Sequence, residues 1–178
     1  MKMSLLFILF LIGTTFSKGN RPNIGRLSYS YGLSPMLGLR INQNFDPQIF
    51  MNHNLRYQYY AEKDLLAGFE VLYGESSFEN QLSTWYASHF VFGASFGRKS
   101  DFRLDVNLGL GPFWNNLYTA ERWVSSFGGS IFIDGAVGYQ SGPLGVLIEA
   151  RIPLHVHIYE NFGVSSTPTL GLKGTLEF

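Results

Sequence analysis

The chain of 178 residues contains no cysteine. That excludes a disulfide scaffold and a lipoprotein anchored on a cleavage-site cysteine. Charge is scarce and balanced. Thirteen Lys and Arg stand against thirteen Asp and Glu, with no basic run, so nucleic acid is not an expected partner. Past the N-terminal segment no apolar stretch approaches the roughly 20 residues that a membrane helix needs. An exported chain without such a helix can enter a bilayer only as a closed barrel.

What the chain does have is alternation. Every second residue from Leu144 to Ile158 is apolar, and Glu149, Arg151, His155 and His157 stand between them. A period of two sustained that far exceeds the usual 5–6 residues of a soluble strand. A strand greasy on one side and charged on the other suits a wall between lipid and a polar interior. The N-terminus is different in kind. Met1-Lys2 gives a positive start, Leu5 to Ile12 an apolar run, and Thr15-Phe16-Ser17 a small-x-small cleavage pattern. Residues 1–17 are therefore expected to be a signal peptide, and 18–178 the folded domain.

Parity predicts eight strands. The first alternates from Leu27 to Ser34, the second from Asn54 to Tyr59, the third from Leu65 to Gly74 and the fourth from Tyr86 to Gly97. The fifth runs from Phe102 to Asn115, the sixth from Trp123 to Gln140, the seventh from Leu144 to Tyr159, and the eighth from Thr169 to Phe178. Short connections follow Ala61, Gly97 and Tyr139, and they alternate with longer ones around residues 36–50, 76–83, 116–122 and 160–167. That is the signature of an all-β, eight-stranded, antiparallel up-and-down transmembrane barrel with both termini at the short-turn end. The outward positions of these eight segments carry no Asp, Glu, Lys or Arg, as expected where a midplane Arg or Lys costs about 2–4 kcal/mol. Aromatics mark both rims of that face. Phe96, Phe102, Tyr139 and Phe178 lie near the short turns, and Tyr73, Tyr86, Trp114 and Trp123 near the long loops. A soluble lipocalin-like barrel would invert the parity, with the apolar set inside.

With its signal segment, eight alternating segments and final Leu176-Glu177-Phe178, the chain resembles the small OmpA/OmpX-like outer-membrane barrels of Gram-negative bacteria. The outward Phe178, with Leu176 and Leu172 in phase before it, resembles the family's signal for the barrel assembly machinery. Lys173 stands where that signal usually has glycine. The resemblance implies location in the cell outer membrane, contact with outer-membrane lipid and lipopolysaccharide, and no cofactor. It hardly bears on ligand or activity.

The polar parity gives the lumen near-equal charges: Arg26, Arg56, Arg103, Arg151 and Lys173 against Glu70, Asp105, Asp134, Glu149 and Glu177. Counting from the short turns places Arg56, Glu70, Asp105, Asp134, Glu149 and Lys173 in one layer, with Arg151 about two positions higher. Buried charges persist only when paired, and an eight-stranded barrel is just wide enough for side chains to fill. A salt-bridged plug is expected, with a gated channel as the alternative.

Enzymatic readings find little footing. His155-x-His157 would need a third ligand, His89 or Asp134, at its own height to hold a metal. Lipid A deacylases resemble this fold but carry a lipid-facing His-x-Ser pair; Ser88 and His89 are adjacent and point to opposite faces. Palmitoyltransferase barrels need an apolar interior, and omptin-like proteases have ten strands and paired rim acids. Glu75 and Glu160 read as solvated loop charges. The first outer loop, Gly38 to Phe50, is expected to expose Phe45, Ile49 and Phe50, and strands five to seven outlast the bilayer. Surface adhesion or binding of an extracellular ligand through the outer loops is thus the main alternative to a structural, non-catalytic barrel.

Overall fold

The computed structural model describes residues 25–35, 37–39, 49–62, 64–78, 81–97, 101–118, 123–158 and 163–178. The expected signal peptide, Phe45 in the first loop, Tyr159 and Glu160 lie outside the described residues. The strands are β1 (Gly25–Pro35), β2 (Leu37–Leu39), β3 (Ile49–Tyr60), β4 (Leu65–Phe78) and β5 (Gln81–Phe96), followed by β6 (Phe102–Tyr118), β7 (Trp123–Ser141), β8 (Leu144–His157), β9 (Gly163–Ser166) and β10 (Thr169–Glu177). All pairings are antiparallel, and β10 pairs with both β8 and β1, which closes the sheet on itself.

These ten segments make eight staves. Leu33 faces Leu170 in the β1–β10 ladder and Leu37 faces Ser166 in the β2–β9 ladder, so one register runs through both. Against β8, β9 and β10 likewise share a register, from His155–Ser165 to Thr169–Arg151. The two breaks fall at prolines: Pro35 ends β1 and Pro168 precedes β10. Proline has no N–H to give the ladder. The eight-stranded expectation therefore holds.

Register fixes the shape. Following ladder partners from Leu27 leads through Tyr57, Phe69, Phe90, Leu110, Ile131 and Leu154. One step past His155–Ser165 reaches Ser166, whose partner is Leu37, ten residues further up the stave on which the circuit began. That stagger over eight strands tilts each strand by about 40° from the barrel axis. Every named member of the circuit before Ser166 is apolar and faces outward. Inside and outside alternate without slippage: on β8 the burial pattern reads exposed, buried, exposed, buried from Leu144 onward.

Between β7 and β8 the turn is two residues long, because Ser141 pairs with Leu144. Gly142 leads it with φ +57°, a backbone angle that suits glycine at the first position of a II′ hairpin, and Pro143 follows. The long connections are shorter than the sequence predicts. β4 and β5 stay paired out to Phe78–Gln81, and β6 and β7 out to Tyr118–Trp123. Ile49 and Phe50 belong to β3; Ile49 is exposed, but Phe50 points inward and is buried, because its parity is that of Asn52 and Asn54.

Candidate functional site: the filled lumen

All ten predicted lumen charges face inward and are buried, and each takes part in an ion pair. They form two tiers rather than one layer. In the lower tier Arg26 meets Asp105 at 2.9 Å, and Ser95 donates to the same carboxylate at 2.6 Å. Arg103 pairs with Glu177 and also donates to Gln140 Oε1 and Tyr60 Oη, both at 2.8 Å.

The upper tier centres on Glu70, which accepts from both terminal nitrogens of Arg151 at 3.0 and 2.9 Å. It also accepts from Arg56 Nε at 2.8 Å, Asn54 at 3.1 Å and His89 Nδ1 at 2.9 Å. Asp134 pairs with Arg56, accepts from Asn107 at 2.7 Å and lies 3.2 Å from Arg151. Lys173 joins the tiers, 3.3 Å from Glu149 and 3.8 Å from Asp105. The split follows from strand tilt. Each ladder step climbs the axis by about 3 Å, so equal counts from the turns give unequal heights around the ring. A small cavity beside the upper tier is lined by Ser30, Tyr31, Asn52, Asn54, Leu72, Glu149, Arg151 and Thr169.

Above the charges sits a second stopper that sequence reasoning missed. Phe50, Leu72, Trp85, Ala87 and Phe113 form a buried cluster. His155 stacks on Phe113 with ring centroids 4.1 Å apart and meets Trp85 edge-on at 5.3 Å. Phe132 lies between charge and cluster, with the Arg151 guanidinium 4.1 Å over its ring and His89 against its edge. The signal that could have found these residues is glycine. Trp85 stands opposite Gly74, Phe132 opposite Gly109, and Phe113 opposite Gly128. A Cβ on Gly74 would fall on the Trp85 indole, and one on Gly109 on the Phe132 ring.

The histidines are spread through this filling. His155 Nε2 bonds Thr167 Oγ1 at 3.1 Å, His157 is held between Ser126 and Ser165, and His89 is a tier below on Glu70. His155, His157, His89 and Asp134 are thus not brought together as a ligand set. Ser88 faces outward and His89 inward. Glu75 is not a loop charge but an outward residue of β4, accepting from Tyr73 Oη at 2.6 Å. Leu172, Leu176 and Phe178 lie along the outward face of β10 and just beyond it, and the Phe178 backbone closes on Gly25 at 2.9 and 3.0 Å.

No protein-family model and no curated protein matches the chain by sequence. Solved structures do. Neisserial surface protein A superposes with a TM-score of 0.72 at 10% identity, over 86% of this chain and 97% of that one. Ail, the attachment invasion locus protein of Yersinia pestis, gives 0.53 at 16% identity, over 86% and 99%. The outer membrane enzyme PagL gives 0.52 at 12% identity, over 85% and 99%. These likenesses span an attachment protein and an enzyme, so they speak to fold and not to activity. The fold is that of the small OmpA/OmpX-like, eight-stranded outer-membrane barrels.

Proposed function

We propose that this protein is an integral outer-membrane barrel, closed and non-catalytic, serving envelope structure and surface contact. It is exported by a signal peptide over residues 1–17. One observation carries the closed state: five cations and five anions pair across the lumen beneath a stopper of Phe50, Trp85, Phe113 and His155. Paired charge and packed rings among the described residues support a closed lumen. Membrane insertion is supported by the outward face, where Phe90, Phe102, Ile133, Val146, Ile152 and Leu170 are all more than half exposed. In water such a surface would aggregate; in hydrocarbon it is at home.

Surface contact is the second reading, and strand length favours it. β5, β6 and β7 have 16, 17 and 19 residues, against 12 for β3. A tilted strand needs about 9–11 to span the bilayer, so one wall stands clear of the membrane as a projecting sheet. Leu172, Leu176 and Phe178 are assigned to recognition by the assembly machinery, and lipopolysaccharide is the expected neighbour of the belt. Planar-bilayer recording with the refolded full chain tests the closed lumen. Silence at moderate voltage is expected; steady large conductance would sink it.

A further inference from the structure

The outward belt has one ionisable interruption. Among the described residues, its only ionisable groups besides tyrosine are His53 on β3 and Glu75 on the neighbouring β4, and it holds no Lys or Arg. The His53 ring shares a hydrogen bond with Tyr29 Oη through Nδ1 at 2.6 Å. It packs against Tyr31 at 5.1 Å and stacks on Tyr73 at 6.3 Å with an interplanar angle of 26°. Tyr73 in turn touches Tyr86 at 5.2 Å and donates to Glu75.

These contacts belong to an unbroken cross-strand row. Tyr31, His53, Tyr73, Tyr86, Trp114 and Phe127 are successive ladder partners over six staves. On the two remaining staves the outward residues Ile152, Leu154 and Leu170 are aliphatic and exposed. Because each ladder step climbs about 3 Å, the row rises by about 15 Å over its six staves, whereas an ordinary interfacial girdle keeps one height, and this row contains an imidazole. Counting about 2.5 Å of height per residue and about 3 Å per ladder step, His53 lies about 20 Å above Phe102. That is the upper fifth of an apolar band about 25 Å tall, where headgroups meet acyl chains. An ionisable group at that depth points to function, with its partner named; here the partner is Tyr29.

Ring faces flanked by phenol hydroxyls, an imidazole and a carboxylate, with no cation among them, suit the hydroxyl and amide groups of a sugar better than a bare phosphate. Sugars lay apolar C–H faces on aromatic rings and hydrogen-bond at their edges. From this row we infer a binding site for the saccharide headgroup of an outer-leaflet glycolipid, with His53 Nε2 and Glu75 as its polar contacts. The inference rests on the membrane reading above.

Full-length protein refolded in micelles is mixed with deep-rough lipopolysaccharide or with phosphatidylglycerol, and bound lipid is counted by native mass spectrometry. The wild type should retain one lipopolysaccharide in preference to phosphatidylglycerol. His53→Phe keeps the belt apolar and should bind about tenfold more weakly, the loss of one hydrogen bond. Glu75→Gln should weaken binding too, and Ile152→Phe on β8 should not. Equal retention of the two lipids by wild type, or wild-type binding by both His53→Phe and Glu75→Gln, overturns the site. Gel migration of the same unboiled and boiled samples keeps the two readings apart. A boiling-dependent shift without lipid preference removes the site alone, and no shift removes the membrane reading beneath it.

Discussion

Replacing Glu70 by Gln removes one negative charge from the centre of the upper tier while keeping side-chain shape. The carboxylate accepts five hydrogen bonds, three of them from Arg56 and Arg151, and is fully buried. The amide presents an NH₂ toward donors that need an acceptor, and two guanidinium groups share the remaining acids. Breaking a buried ionic contact from one side costs about 3–5 kcal/mol. With a urea slope of about 2 kcal/mol/M, the lower figure moves the unfolding midpoint down by about 1.5 M. The assay is urea unfolding in phospholipid vesicles, read by loss of the heat-modifiable gel band. Adding Arg151→Met to Glu70→Gln restores charge balance and should recover part of the loss. A midpoint unmoved by Glu70→Gln would mean that water screens these charges, and the plug would have to be abandoned.

Opening the upper stopper tests the same idea from the other end. Trp85→Ala with Phe113→Ala should bring discrete conductance steps to planar bilayers in which the wild type is silent. Gly109→Ala puts a methyl group into the Phe132 ring, which Arg151 and His89 hold in place, and should destabilise by about 1–3 kcal/mol in the same urea assay. Phe178→Ala leaves the Gly25 backbone contacts intact. It should slow insertion by reconstituted assembly machinery several-fold without changing spontaneous folding in detergent, whereas equal slowing in both would make Phe178 a packing residue only.

The sequence by itself determined the number of strands, the two faces and the identity of the buried charges. Period two maps directly onto inside and outside, so Leu27, Tyr29 and Tyr31, or Arg103, Asp105 and Asn107, could be assigned from parity alone. The tertiary structure decided register, and with it height. Asp105 and Asp134 are equally polar in sequence, yet tilt sends one to Arg26 and the other to Arg56. Register also decided what the glycines were for. Gly74, Gly109 and Gly128 are unremarkable until Trp85, Phe132 and Phe113 are seen opposite them. Trp85 and Phe132 break the apolar-outside rule where the neighbouring glycine leaves room for the ring to lie across it. His53 was hidden for the converse reason. Between Asn52 and Asn54 it reads as part of a polar stretch, although its parity with Leu55 and Tyr57 already aimed it at lipid. Only the closed sheet, which sets Tyr31 and Tyr73 on either side of it, gave that outward imidazole its surroundings.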